Sequence, residues 1–184
     1  MKTFLVILLA GATAALTVVV RVPIPGTGGY LNFGDIAVIF CGLFLGKKFG
    51  GLAGGIGSAF ADVIGGFFIF APITLLAKGL EGFIAGYISE KRFTSSLIDT
   101  VFSDTGRKKS REQIRIDLLT IALLFFASFT MVAVYFVSEL FLPGVGLAAA
   151  VSEVPFNIIQ AVSGAVGGYF VFIAVKKALP FEKT

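Results

Sequence analysis

Residues 35–51 read DIAVIFCGLFLGKKFGG, an apolar run closed by two adjacent lysines. The run is about half of the roughly 20 residues that a helix needs to cross a hydrocarbon core, so length alone allows a short crossing or a re-entrant segment. The lysines decide between the two. A crossing puts Lys47 and Lys48 on the same side as most other basic residues of the chain, whereas a re-entrant turn puts them opposite, against the bias of short cytoplasmic connections toward Lys and Arg.

Working outward, five longer apolar stretches flank this one: Phe4 to Val20, Gly50 to Ile69, Pro72 to Ser89, Ile114 to Leu142 and Gly146 to Val175. With Asp35 to Gly46 counted as a crossing and the N-terminus inside, Lys2, Lys47, Lys48, Lys91, Arg92, Arg107, Lys108, Lys109, Arg111, Arg115, Lys176, Lys177 and Lys183 all fall on the cytoplasmic side. Arg21 alone falls outside, and Lys78 lies within a span. The expectation is an all-α integral membrane protein, six transmembrane helices in a compact bundle with both termini cytoplasmic. A single integral membrane domain over residues 1–184 is expected, in contact with the lipid bilayer.

Composition agrees. Mean hydropathy is +0.96; hydrophobic residues make up 57% of the chain and charged residues 14%, against about 25% charged in soluble domains. The net charge of +4 reads as orientation and lipid contact, not nucleic-acid binding. The first connection, Arg21 to Leu31, is rich in Pro and Gly; Gly65 to Ala71 holds three phenylalanines, and Leu142 to Gly146 is short. Each is expected to fold down over a cavity from outside. The stretch from Glu90 to about Gln113 reads as a long solvated cytoplasmic loop with a short helix near Ser96 to Phe102.

Several chemistries are excluded. No histidine and one cysteine, Cys41, leave no ligand set for zinc, copper or iron, and no metal or cofactor is expected. Gly42, Gly46 and Lys47 have the wrong spacing for a phosphate loop and no Ser or Thr after the lysine. Gly26-Thr27-Gly28-Gly29 lacks the third glycine of a dinucleotide fingerprint.

Ionisable residues inside spans are costly and usually mark a working site. Asp62, Lys78, Glu81 and Glu153 stand out. Thr74, Lys78 and Glu81 share a face of the fourth span by their spacing of four and three, and Glu153, Asn157, Gln160 and Gly164 form a stripe on the sixth. Ser128, Met131, Tyr135 and Ser138 give the fifth a mixed face. These helices can wall one pocket, or Lys78 and Glu81 can simply neutralise each other while Asn157 and Gln160 join helices. Asp62 can serve as a ligand, as a partner for Lys78, or as a residue of the outer mouth. Small residues four apart, Ala10 with Ala14, Gly11 with Ala15, Gly51 with Gly55 and Gly164 with Gly168, allow close helix approach, either within the bundle or to a partner.

The order Tyr30-Leu31-Asn32-Phe33-Gly34-Asp35, Leu45-Gly46-Lys47-Lys48-Phe49-Gly50-Gly51, Lys78-Gly79-Leu80-Glu81-Gly82 and Glu153-Val154-Pro155-Phe156-Asn157-Ile158-Ile159-Gln160 resembles the substrate-binding S components of energy-coupling factor transporters over essentially the whole chain. The resemblance implies high-affinity capture and translocation of a small water-soluble vitamin in a prokaryotic cell membrane. The chain would have no ATPase of its own and would work with a transmembrane coupling subunit and two cytoplasmic ATPases. It implies substrate contacts at Lys78, Glu81, Tyr135, Glu153, Asn157 and Gln160, and partner contacts at Ala10, Gly11, Ala14 and Ala15.

Riboflavin-type members resemble the chain at Pro155-Phe156-Asn157 but often carry Lys where Gln160 stands here. That departure favours a pyridoxine-like or hydroxymethylpyrimidine-like heterocycle, with riboflavin next. Two other classes compete: a small integral membrane enzyme acting on lipid head groups, with Asp62, Glu81 and Glu153 as acid or base groups, and a ligand-free scaffold subunit.

Overall fold

The computed structural model describes residues 2–102 and 106–178, and side chains other than those of 92–116. Six helices follow one another: α1 (Lys2–Val19), α2 (Gly34–Leu45), α3 (Lys47–Gly65), α4 (Ala71–Phe102), α5 (Gly106–Phe141) and α6 (Gly146–Ala178). Among the described residues three segments are long and apolar enough to cross a membrane, Lys2–Val19, Asp117–Phe141 and Gly146–Ala178, with Gly34–Leu45 a shorter apolar helix. The 12 residues of α2 span only about 18 Å at 1.5 Å per residue. α3 and α4 have the length, but glycines and charged residues dilute their hydropathy.

Two expectations change. The first outer connection is a small antiparallel hairpin, β1 (Arg21–Pro23) with β2 (Tyr30–Asn32), in the register Arg21↔Asn32, Val22↔Leu31 and Pro23↔Tyr30. The expected cytoplasmic loop from Glu90 is instead helical backbone, with α4 running on to Phe102 and α5 starting at Gly106. Its basic side chains, Arg92 and Arg107 to Arg115, lie outside the described residues.

α2 and α3 are separated by Gly46 alone, whose φ of +80° only glycine adopts without strain. The Gly46 N–H closes α2 on the Gly42 carbonyl at 3.0 Å, and the Gly46 carbonyl accepts from Gly50 N–H at 2.8 Å to open α3. At the same end Glu90 of α4 accepts from the Lys47 backbone N–H at 3.1 Å and pairs with the Lys47 ammonium at 2.9 Å. That carboxylate supplies a cap and a negative charge to an α3 first turn that has no acidic residue of its own.

Glycine sets how closely the helices approach. A Cβ on Gly51 or Gly55 would come within 2.8 Å of the Gly79 and Leu75 carbonyls of α4, and one on Gly164 within 2.7 Å of Asp35 on α2. Two of the four small-residue pairs thus serve packing inside the bundle. The core holds Ile39, Leu43, Ala85, Ile88, Leu124, Ala127, Ala165 and Tyr169, and a smaller cluster of Ala77, Met131, Val132 and Ala161 adjoins the polar residues of α4 and α6, Ala77 next to Lys78 and Ala161 next to Gln160.

Candidate substrate cleft

A cleft opens at the hairpin end of the bundle, remote from the Lys47–Glu90 pair. In this structure its cavity volume is about 30 Å³, below the roughly 300–1,000 Å³ usual for small-molecule sites. The hairpin roofs it with Gly28, Gly29, Tyr30 and Asn32; α3 adds Ser58 and Asp62, α4 Thr74 and Lys78, α5 Tyr135, and α6 Glu153, Asn157 and Gln160. Thr17 of α1 and Phe70, just before α4, complete the wall.

The roof is fastened at three points. Gln160 Oε1 accepts from the Asn32 backbone N–H at 2.6 Å and from Asn32 Nδ2 at 3.0 Å, while Gln160 Nε2 lies 3.4 Å from Asn157 Oδ1. Tyr30 donates its hydroxyl to Asp62, and its ring packs on Phe67, with centroids 4.7 Å apart, under the Arg21 guanidinium at 4.3 Å. Burial, then the Asp62 carboxylate, push the Tyr30 phenol above its usual range. Gly29 sits against the Glu153 carboxylate with no space for a Cβ.

Below the roof lies a charge network. Lys78 pairs with Asp35 at the head of α2, and Glu81 Oε2 is the more distant partner at 3.9 Å. Glu81 Oε1 accepts from the Ser128 hydroxyl at 2.6 Å, and Thr74 shares a hydrogen bond of 2.8 Å with Tyr135. The pairing of Lys78 with Glu81 expected from their spacing is therefore secondary, because α2 brings a carboxylate closer. Five of the six expected substrate residues, Lys78, Tyr135, Glu153, Asn157 and Gln160, line the cleft; Glu81 does not, being wholly buried behind Lys78.

Sequence reasoning passed over Asp35 and Glu139, both completely buried. Each is a carboxylate inside an apolar run, and the rule that picked out Asp62 applies to both. Glu139 lies beside Glu153, and neither oxygen of its carboxylate has a hydrogen-bond partner among the described residues. On the cleft wall, Asp62 Oδ2, Glu153 Oε1 and Ser58 Oγ are likewise buried and unpartnered there. Buried polar atoms of this kind are costly unless something satisfies them, so the wall is made to accept hydrogen bonds.

On α1 the four expected partner residues divide. Ala14 is buried and Ala10 half-buried, with a Cβ at Gly57 of α3 barred by the Ala10 carbonyl, whereas Gly11 and Ala15 are exposed and Gly11 has open space around it. The Ala10–Ala14 edge is thus turned toward the chain's own bundle.

Residues 2–177 match the family model described as ECF-type riboflavin transporter, S component. The chain belongs to this family. An S component is the membrane-embedded, substrate-binding subunit of a vitamin transporter and not an enzyme, which sets aside the reading as a lipid-head-group enzyme. The S component is also 49% identical over 79 residues to a protein of Pyrococcus woesei named "Uncharacterized protein in gap 3'region"; the match covers 43% of this chain and 53% of that protein. The chain thus spans about half the length of the curated relative it matches.

Proposed function

We propose that this S component is a single membrane-embedded domain that captures a flat, uncharged, donor-bearing vitamin from outside a prokaryotic cell. It carries the vitamin across with a transmembrane coupling subunit and two cytoplasmic ATPases. The observation that carries the reading is the roofed cleft, where unpartnered acceptors on Asp62, Glu153 and Ser58 converge with the aromatic rings of Tyr30, Phe70 and Tyr135. Acceptors suit a ligand's N–H and O–H groups, and the rings suit a planar heterocycle. Tyr135, Glu153, Asn157 and Asp62 are the proposed direct contacts, with Lys78 at the cleft floor and Glu81 acting through it. Six crossings with both termini inside remain the proposed topology, which puts the cleft outside and the Lys47–Glu90 end at the cytoplasm.

Within that class riboflavin is the proposed substrate, ahead of a pyridoxine-like or hydroxymethylpyrimidine-like compound. The family description names riboflavin. The feature that weighed against it, Gln160 in place of Lys, bears on the roof: its carbonyl oxygen is taken up by Asn32. Denaturing protein purified from its own membrane and identifying any released small molecule by mass spectrometry tests the class. Release of a flavin supports the reading; a tightly held anionic vitamin overturns it.

A further inference from the structure

Lys78 is the cation on the cleft wall, yet its charge is answered from behind. Its ammonium pairs with Asp35 and lies 3.9 Å from Glu81 Oε2. Asp35 and Glu81 side chains are both fully buried, and neither lines the cleft. Each also keeps one carboxylate oxygen, Asp35 Oδ2 and Glu81 Oε2, without a hydrogen-bond partner among the described residues. The remaining nearby cation, Arg21, is held over the Tyr30 and Phe67 rings at 4.3 and 5.0 Å and donates to the Ala61 carbonyl at 3.1 Å. The wall itself adds the carboxylates of Asp62 and Glu153, with Glu139 behind the latter.

From this arrangement we infer that Asp35 and Glu81 are specificity-determining residues that mask Lys78 and make the cleft select against anionic ligands without touching the ligand. An anion entering the cleft meets Lys78 only through an ammonium already neutralised, together with the wall carboxylates of Asp62 and Glu153. A neutral ligand loses nothing by the masking. Lys78 is left as a hydrogen-bond donor, and its ammonium, 5.5 Å from the Tyr135 ring centroid, helps to hold that ring in the wall. Two charges about 8 Å apart at an effective dielectric near 20–40 change an affinity by on the order of tenfold, enough for one masking carboxylate to set a preference. The inference rests on the proposed capture of a neutral vitamin, and its test is a ratio that does not require riboflavin to be the tightest ligand.

The experiment measures equilibrium binding to the purified full chain, for riboflavin and for two anionic analogues with their charge at opposite ends, riboflavin 5′-phosphate and 8-carboxyriboflavin. The variants are Asp35→Asn, Glu81→Gln and the double change Asp35→Asn with Lys78→Met. Asp35→Asn should raise the affinity of at least one anion relative to riboflavin about tenfold, and the double variant should return the ratio to the wild-type value or below. A carboxylate that merely holds the fold would lower all three affinities together. Unchanged ratios for both anions in Asp35→Asn overturn the inference; should that variant not fold, unchanged ratios in Glu81→Gln, which keeps the acceptor for Ser128, overturn it equally. If the wild-type chain binds pyridoxine and not riboflavin, the substrate proposal fails, and the masking is read from pyridoxine against pyridoxine 5′-phosphate.

Discussion

Gln160 on α6 holds Asn32 on the hairpin through one carbonyl oxygen that accepts from both the backbone and the side-chain N–H. Two residues 128 positions apart thereby fix the roof to the wall. Lifting the roof breaks both of these bonds as well as the Tyr30–Asp62 contact.

That connection separates two substitutions of similar size. Gln160→Glu keeps the acceptor and should hold the hairpin, whereas Gln160→Lys has no acceptor and leaves the buried Asn32 N–H unsatisfied, at about 1–3 kcal/mol. Hydrogen exchange of the backbone amides in 21–32 should quicken in the Lys variant and not in the Glu variant, with vitamin dissociation about five- to hundredfold faster. Equal exchange in both would mean that the roof is held elsewhere.

Gly29 offers a second handle on the same roof. Gly29→Ala puts a methyl group where the Glu153 carboxylate sits; that carboxylate ends a flexible side chain and must swing away, so riboflavin binding should weaken about as much as in Glu153→Ala. Gly29→Ala combined with Glu153→Ala relieves the overlap. Its affinity should not fall below that of Glu153→Ala alone, which titration of the three variants would reveal.

On α1 the exposed and buried small residues should behave oppositely. Gly11→Leu with Ala15→Leu should leave thermal stability and vitamin binding of the isolated chain unchanged while reducing co-purification with the coupling subunit, because close helix approach there needs small side chains. Ala14→Leu overpacks a buried site and should cost about 1–3 kcal/mol of stability. Lost stability in the first variant would place Gly11 and Ala15 in the bundle's own packing.

Orientation can be read directly. In a Cys41→Ser background, cysteine at Val22, half-exposed on the hairpin, should react with an impermeant thiol reagent in intact cells, and cysteine at the exposed Lys91 only after the membrane is broken. The reverse pattern would invert the protein in the bilayer.

Much of the helical architecture is legible in the chain, because all six helices coincide with apolar stretches. The ends of α4 and α5 were not, since the rule for crossing a membrane says where apolar residues stop and not where a helix stops. The hairpin escaped notice because two strands of three residues are too short for an alternating pattern to stand out among prolines and glycines. Helical spacing brought Asn157 and Gln160 together correctly, but it offered Glu81 as the partner of Lys78. The nearer carboxylate, Asp35, lies 43 positions away in sequence, and no local pattern encodes that pairing. Asp35 and Glu139 were nonetheless visible as charges in apolar runs, Asp35 at the start of its run and Glu139 three residues before the end of its own.

The central claim is that this chain, alone, holds a neutral vitamin in the cleft beneath the hairpin. Quenching of riboflavin fluorescence on titration with the purified protein, free of coupling subunit and ATPases, tests it most directly. The account predicts saturable one-to-one quenching that weakens about five- to hundredfold in Asn157→Ala, which strips a polar partner from the cleft wall. Failure of the wild-type chain to bind riboflavin, pyridoxine or a hydroxymethylpyrimidine, or binding that is untouched by Asn157→Ala, Glu153→Ala and Tyr135→Phe alike, would contradict it.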